Sequence, residues 1–566
     1  MSYLNKGDHI QAIKHLSKAV TLKQRLFGDD HISIASSCVM LGEVYDSQGD
    51  YERALDFYHK ALVLYKKHLN RRSSDIAVVK GQLGASYANR DDLDVALQFA
   101  QQALSLHRES LGESHPALGR THETLGNIYR KRGDYVLALS HYQSALMVRS
   151  HITDSNDRND IANLYSEIGA VYAATREYHR ALEYYNNALK LHRNLPEQNR
   201  PQLATTLKGL GDIYAQQNEF TLALAYYQQS MIVLVPEFSD SSIQSNPTPR
   251  NVTYGKALLS VFAAKASTLE KYYSESHIMS YLQAALATYE CAANVSGLLR
   301  KKLTAEGSKL FLDEESHSLH QNAIRISMML FDATQEKRYK EAAFYFAENS
   351  RANVLLDGLV DSEAKQFTDI PDSIIEREKS LRTDLAYYST KLQKEIDKKE
   401  YKDTVKIVQL RNKCFALNYE MQELLTLLEN TYTQYYDLKY RNNSPTVTEI
   451  QQALDHKTCV VEYSVGEHSI NVFTITKNSY NITVTSKPLD FEHTAWTFYR
   501  SIKTVERDEY VRTGAELYNV LLRPLGKLLS RKSRLIIIPD GILHYVPFEA
   551  LIDRGPKQNS ATIDFP

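Results

Sequence analysis

The chain has 566 residues, which is too long for one ordinary hydrophobic core and predicts several domains or an extended repeat array. Its 67 Lys and Arg nearly balance 68 Asp and Glu, so a net charge of −1 gives no general attraction to nucleic acid or an anionic membrane. The four cysteines form no CxxC pair, which excludes a disulfide scaffold and a structural zinc site. Without a membrane-length apolar run or a signal peptide, we expect a cytoplasmic protein.

A signature of the form Leu-Gly-x-x-Tyr recurs through residues 1–235. A second signature follows each copy, as in GDYERALDFYHKAL, and a half copy, GDHIQAIKHLSKAV, opens the chain. The steps between successive copies are 42, 42, 43 and 42 residues, and the copies begin at Leu41, Leu83, Leu125, Ile168 and Leu210. A constant period of this length predicts a repeat architecture of about five and a half units.

Each unit predicts two helices. The Leu and Tyr of the first signature fall on one helical stripe, and the Gly between them allows a neighbouring helix to approach closely. A polar pair such as Gly-Asp breaks the helix, and the second signature builds another helix with small residues at the crossing. Neither helix can bury its apolar stripe alone, so the units should stack into an α-solenoid.

This pattern resembles the tetratricopeptide repeat, and specifically the longer variant of kinesin light chains. The linkers LFGDDHI at Leu26 and LGESHPA at Leu111 support that variant. The resemblance implies that a protein or peptide binds along the concave face, which the first helix of each unit lines. The half copy lacks most of its first helix, which leaves open a natural start further upstream.

One group of polar residues on a first helix is the candidate contact for a peptide or an acidic partner. It consists of Arg120, Asn127, Arg130 and Lys131, which project inward when that helix is drawn from its Leu-Gly pair. The inward positions of the next repeat are small instead: Ala170, Ala173 and Ala174. The alternative interpretation is that these polar side chains form a solvated helix face.

The middle of the chain is helical without the repeat signature. Residues 239–251 are polar and contain two prolines, which predicts a linker. Residues 252–361 regain the helical period and are interpreted as degenerate repeat helices. Residues 362–441 are rich in Lys, Glu and Leu and predict a long helical hairpin.

In residues 445–566 the sequence pattern changes from all-helical to mixed strand and helix. The runs TCVVEYSV, SINVFTIT and YNITVTSK predict three successive strands, and two helical stretches cover 489–505 and 510–529. The short apolar run RLIIIP then predicts a buried strand. This order indicates a small, partly parallel α/β domain, so the whole chain should be mostly α with a C-terminal α/β part.

A loop follows the RLIIIP strand, where α/β folds commonly bind ligands. We call Pro539–Phe548 the motif loop. Asp540 and Gly541 suit a turn, and Pro547 and Phe548 return the chain to the core. His544 is a candidate general base, although a single histidine without a visible partner more often packs against or caps its loop.

The stretch RLIIIPDGILHYVPFEAL, preceded by VVEYSVGEHSINVFTIT and GAELYNVLLRPLGKLL, resembles the first half of a CHAT domain. The segment FYFAENSRANVLLDGLVD resembles the helices that join repeats to such a domain. CHAT domains resemble caspases and separase, which are cysteine peptidases with a His–Cys dyad on an α/β fold. Some members are proteases activated by a partner that binds the repeats.

The sequence departs from the family where the chemistry would lie. In the family the histidine occupies a Gly-His-Gly-like turn downstream of the Pro-Asp-Gly strand, and the cysteine follows. No His follows His544 and no Cys follows Cys459, so neither dyad residue is assigned. Cys459 lies among valines in a predicted strand, where burial should raise its pKa and make it a poor nucleophile. The chain is then a fragment, a truncated product or a non-catalytic relative.

Two functions stay open. In the first, the repeats form a protein-binding scaffold and the motif-loop residues Pro539 to Phe548 are structural. In the second, the chain is the regulatory part of a partner-activated caspase-like endopeptidase with catalytic residues beyond Pro566. We expect no cofactor, metal, small-molecule ligand, nucleic acid or membrane partner. A partial sheet should also leave the RLIIIP strand with an unpaired edge, and the isolated chain should then aggregate or recruit a partner.

Overall fold

A computed structural model describes residues 9–553 except 71–72, 114, 150–154, 194–199, 249–253, 303–305, 351–369, 397–403, 433–444 and 530–531. The chain divides into two compact units. The helical unit comprises Met1–Glu314 and Val354–Arg441, and the sheet unit comprises Glu315–Asn353 and Asn442–Pro566. Residues 315–353, which the sequence analysis grouped with degenerate repeat helices, therefore cluster with the C-terminal segment.

The repeats of the helical unit form consecutive helix pairs after an opening helix, α1 (His9–Phe27). In chain order the pairs are α2 (Ser33–Gln48) with α3 (Tyr51–His68), α4 (Ser74–Asn89) with α5 (Leu93–Leu111), α6 (Pro116–Arg132) with α7 (Tyr135–Arg149), α8 (Ser155–Ala174) with α9 (Tyr178–His192), and α10 (Arg200–Gln216) with α11 (Phe220–Leu234). Each helix packs against its pair partner and against the next pair along the chain. The predicted α-solenoid is confirmed.

The signature glycine provides space for a tyrosine ring of the second helix in the same repeat. A Cβ atom on Gly42 would lie 2.5 Å from the ring of Tyr58, and one on Gly126 would lie 2.5 Å from the ring of Tyr142. Both rings are almost completely buried. The glycine therefore allows the two helices of one repeat to cross closely around a large aromatic side chain.

The signature tyrosine stacks on an aromatic residue twelve positions later in every repeat. The ring centroids are separated by 5.4 to 5.6 Å, and the interplanar angles do not exceed 24°. The pairs are Tyr45–Phe57, Tyr87–Phe99, Tyr129–His141, Tyr172–Tyr184 and Tyr214–Tyr226. This stacking explains part of the heavy use of tyrosine, which occurs 38 times in the sequence against 17 times for phenylalanine.

Further helices follow the repeats. They are α12 (Gly255–Ser276), α13 (Met279–Lys302), α14 (Glu306–Thr334), α15 (Lys337–Asn349), α16 (Asp372–Ile396) and α17 (Thr404–Thr431). Helices α12 and α13 form a pair like those of the repeats. Helices α16 and α17 pack against each other around buried residues such as Leu381, Leu417 and Leu428, in the region predicted as a hairpin.

The sheet unit contains a four-stranded sheet in the order β3-β2-β1-β4. The strands are β1 (Thr458–Val465), β2 (Ser469–Thr476), β3 (Ser479–Ser486) and β4 (Arg534–Ile538). Strands β1, β2 and β3 are antiparallel neighbours, whereas β4 runs parallel to β1. The helices of the C-terminal segment are α18 (Val447–Ala453), α19 (Phe491–Thr504), α20 (Arg507–Leu521) and α21 (Gly526–Leu529).

Both faces of this sheet are covered by helices of the same unit. On one face, Cys459, Val461 and Tyr463 of β1 belong to a core that includes Phe498 of α19 and Leu517 of α20. The residues of β1 that alternate with these three point to the opposite face of the sheet, which α14 and α15 cover.

Contacts with α14 and α15 fix that second face. Gln321 of α14 donates a hydrogen bond of 2.8 Å to the hydroxyl of Ser464. The ring of Phe344 on α15 lies 5.9 Å from that of Phe473 and 6.1 Å from that of Tyr480. Helices α14 and α15 therefore cover the second face of the sheet.

The expectation that the RLIIIP strand is buried is wrong for its first half. Arg534, Leu535 and Ile536 are exposed, because β4 lies at the edge of the sheet and, among the described residues, pairs with β1 alone. The apolar composition of a strand does not distinguish an edge position from a central one.

Candidate functional site

The first helices of the repeats form one continuous face. Helix α4 contacts α6, α6 contacts α8, and α8 contacts α10, whereas successive second helices make weaker contacts in the described residues. Closer spacing of the first helices places them on the inner side of the solenoid. We call this surface of α2, α4, α6, α8 and α10 the inner face.

The predicted polar and basic residues lie on α6, but they differ in exposure and in the groups that they contact. Arg120 is exposed. The guanidinium of Arg130 lies 3.1 Å from the carboxylate of Glu167 on α8, and both side chains are about two-thirds buried. The nearby Glu167 raises the pKa of Arg130 further above its ordinary value. Arg130 therefore links two neighbouring repeats.

Asn127 and Lys131 are also held by neighbouring groups. The Asn127 amide oxygen accepts a hydrogen bond of 2.6 Å from the hydroxyl of Tyr142. The Lys131 ammonium donates to the carbonyl oxygen of Ala88 at 2.7 Å and lies 3.7 Å from the carboxylate of Asp91. Of the four predicted residues, Arg120 therefore offers the most accessible charge.

Asn127 has an equivalent in the last repeat. Asp212 follows its signature glycine just as Asn127 follows Gly126. The Asp212 carboxylate accepts a hydrogen bond of 2.8 Å from the hydroxyl of Tyr227 and another of 2.7 Å from Lys208. In both repeats a tyrosine hydroxyl of the second helix thus orients an oxygen acceptor on the first helix.

Acidic groups on the inner face were missed by the sequence analysis. Burial raises the pKa of Asp46 to about 6 and also raises the pKa of Glu43, to which Gln82 donates a hydrogen bond. A search of the sequence for basic residues alone could not reveal them, although both follow the first Leu-Gly pair. The inner face therefore carries both signs of charge.

A buried ion cluster joins the third and fourth full repeats. Arg149 of α7 lies 3.5 Å from the carboxylate of Glu123 on α6 and forms a close ion pair with Asp160 on α8. Burial raises the pKa of Glu123 to about 7, and the negative charge of Asp160 adds to the effect while Arg149 opposes it. With two carboxylates for one guanidinium, Glu123 is the group that binds a proton most readily.

The motif loop bridges the ends of the two parallel strands. The carboxylate of Asp540 accepts a hydrogen bond of 2.7 Å from the backbone N–H of Val465, the last residue of β1. Gly541, with φ +54°, begins a 3-10 turn that extends to Tyr545. Pro539, which follows β4, is partly buried. The Pro-Asp-Gly segment is thus tied to the carboxyl ends of β1 and β4.

The rest of the motif loop anchors to the sheet unit. His544 is exposed, and its Nδ1 atom lies 2.9 Å from the carbonyl oxygen of Gly541. Pro547 precedes a second 3-10 turn, and the ring of Phe548 lies 5.4 Å from that of Tyr463. These contacts describe a packed loop, in which His544 caps the turn that contains it.

Burial disfavours the thiolate form of three of the four cysteines. Cys459 is fully buried, burial raises its pKa, and its thiol donates to the adjacent carbonyl oxygen of Val460 at 3.5 Å. Burial also raises the pKa values of Cys38 and Cys291 to about 11. Within the described parts of the chain, no group of three metal-ligating side chains occurs and no helix is long and apolar enough to cross a membrane.

Comparison with solved structures finds chains similar to this one at low sequence identity. BtubC (BKLC) from P. vanneervenii is 21% identical over 43% of this chain and 95% of its own, with a TM-score of 0.34. A putative kinesin light chain repeat protein from Podosopora anserina is 15% identical over 37% and 99%, with a TM-score of 0.30. A Rap protein complexed with Competence and Sporulation Factor is 14% identical over 56% and 86%, with a TM-score of 0.35.

Family models match the chain at both of the places that the sequence motifs indicate. The tetratricopeptide repeat model matches residues 1–67, 75–149 and 160–231. The CHAT domain model matches residues 511–561, which include most of α20, β4 and the motif loop. No curated protein matches the chain.

Proposed function

Because residues 1–231 carry tetratricopeptide repeats and residues 511–561 match a CHAT domain, we propose that this protein is an interaction scaffold. Its inner face binds an extended segment of a partner protein, and the bound segment is coupled to the CHAT-like part of the chain. This proposal includes the domain division inferred from the sequence, with repeats over 1–235 and the CHAT-like region over 445–566.

The observation that carries the proposal is the equivalent placement of Asn127 and Asp212. Each presents an oxygen acceptor from a first helix, and each is held by a tyrosine hydroxyl at 2.6 or 2.8 Å. Acceptors fixed at the same place in different repeats suit the regularly spaced N–H groups of an extended peptide. Arg120 adds an accessible cation for a partner carboxylate.

The test begins with peptides selected on the full chain from a random display library. Arg120→Glu and the double variant N127A/D212A should each weaken a selected peptide at least tenfold in fluorescence anisotropy. Arg180→Glu, an exposed position on the second helix α9, is the matched control and should bind normally. Recovery of no peptide, or equal binding by all variants, would overturn the proposal.

A second candidate is the regulatory part of a partner-activated caspase-like endopeptidase. The CHAT match over 511–561 favours it. In this proposal the catalytic dyad comes from residues outside the 566 of the printed sequence, and the motif loop supports it. Cys459 is then not the nucleophile. Cleavage of a peptide library by the purified chain, abolished in Cys459→Ser, would contradict that assignment.

A further inference from the structure

Three aromatic rings form an exposed cluster beside the motif loop. Trp496 and Tyr499 belong to α19, and Tyr545 ends the 3-10 turn of the loop. The ring centroids of Trp496 and Tyr499 are 5.6 Å apart, and each lies 5.7 Å from that of Tyr545. Trp496 is 48% exposed and Tyr545 is 50% exposed. We call these three residues the aromatic cluster.

The aromatic cluster is not needed to bury α19. That helix places Phe491, Ala495 and Phe498 in the core of the sheet unit, and all three are nearly fully buried. Trp496 and Tyr499 lie on its other side, one helical turn apart. Large aromatic side chains that touch one another while half exposed are typical of protein-binding surfaces, because they bury much area at little entropic cost.

Two cations of α19 form a rim beside the aromatic cluster. The ammonium of Lys503 lies 4.5 Å from the ring centroid of Tyr499, and within the described residues it has no ion-pair partner. Arg500 follows Trp496 by one helical turn and makes one long contact, 3.9 Å, with the carboxylate of Glu506. Both cations are exposed, so a partner carboxylate can reach them without breaking a short ion pair.

The same features weigh against other partners. Single-stranded nucleic acid also stacks on aromatic rings, but it requires a basic groove that follows several phosphates. Two cations at one end of a three-ring surface do not provide such a groove. A short peptide with one large apolar side chain and neighbouring carboxylates matches both the area and the charge.

We propose that the aromatic cluster and its rim of Arg500 and Lys503 form a docking site for a partner-protein segment that carries a large apolar side chain beside carboxylates. The apolar side chain packs among the rings of Trp496, Tyr499 and Tyr545, and the carboxylates pair with the two cations. This site belongs to the sheet unit, is independent of the inner face of the repeats, and gives the motif loop a role in binding through Tyr545.

Trp496 provides the readout, because it is the single tryptophan of the sequence. The probe is a tryptophan-free synthetic peptide with Phe flanked by Glu residues, added to the full chain. We expect a saturable blue shift of the Trp496 emission that weakens as salt increases. Matched peptides with Lys in place of Glu, or with Ala in place of Phe, should give no shift.

Variants locate the site. Tyr545→Ala and Lys503→Glu should each weaken the Glu/Phe peptide about tenfold, whereas Tyr387→Ala, at an exposed tyrosine of α16, should bind normally. Circular dichroism confirms that each variant is folded. The proposal would be overturned by no emission change with the Glu/Phe peptide or by an equal response to the peptide with Lys in place of Glu. A shift produced only by raising the protein concentration would also overturn it.

Discussion

Burial controls the proton affinity of one carboxyl group in the repeats, that of Glu123. The pKa of Glu123 is raised from its ordinary 4.5 to about 7 in the folded chain, mainly because the carboxyl group is removed from water. The stabilising effect of its protonated form is fully present below the unfolded-state pKa. It is lost as the pH rises through about 7.

Glu123→Gln should therefore change how stability depends on pH. Glutamine keeps the shape without the charge, and Arg149 retains Asp160 as its partner. The free energy of unfolding of the variant relative to the native chain should rise by roughly 2–3 kcal/mol from pH 5 to pH 8. Denaturant unfolding followed by circular dichroism measures this difference, and Glu183→Gln on the surface of α9 is the control. A difference that stays constant with pH would contradict the prediction.

At the scale of the helix pair, every repeat turns through a left-handed residue at the same position. The φ angles lie between 63° and 83° at Gly49, Asp91, Gly133, Arg176 and Asn218. A left-handed conformation costs an L-residue roughly 1–2 kcal/mol, which glycine avoids. The sequence shows the turn in two repeats as Gly-Asp, and the other three repeats adopt the same geometry without glycine.

Arg176→Gly should stabilise the fourth full repeat. Relief of the strained φ of 64° exceeds the extra chain entropy of glycine, so we expect a gain of roughly 0.5–1 kcal/mol in the free energy of unfolding. Arg176→Ala keeps the Cβ atom and should give no comparable gain. Equal stability of the glycine and alanine variants would show that the turn is not strained.

Periodicity predicts helices well, but it does not identify which element covers a surface. The Leu-Gly-x-x-Tyr spacing predicted the helix pairs because each pair repeats the same local pattern. The cluster of Glu123, Arg149 and Asp160 was missed, since these residues lie on three helices that meet only when repeats stack. Likewise, the apolar pattern of 337–349 predicted a helix but not its packing against Phe473 of the sheet.

At the scale of the whole molecule, a buried histidine in each unit makes the stability of that unit depend on pH. Burial lowers the pKa of His192 in the helical unit and of His320 in the sheet unit to about 4. Both side chains are almost fully buried. The unfolded chain binds protons at these histidines below its ordinary pKa of about 6.5, whereas the folded chain does not until about 4. Stability should therefore fall between those pH values in each unit.

His192→Gln and His320→Gln should each reduce this acid sensitivity in their own unit. At pH 4.5 the free energy of unfolding should be lower with each native histidine than with glutamine by on the order of 2 kcal/mol. At pH 7.5 this difference should vanish apart from packing effects. Hydrogen exchange read separately for peptides of α9 and for peptides of α14 within residues 315–334 assigns each effect to its unit. His468→Gln, at a histidine that is 87% exposed, is the control variant. Because the two units contain independent buried histidines, a variant that protected both units equally would indicate that they unfold as one.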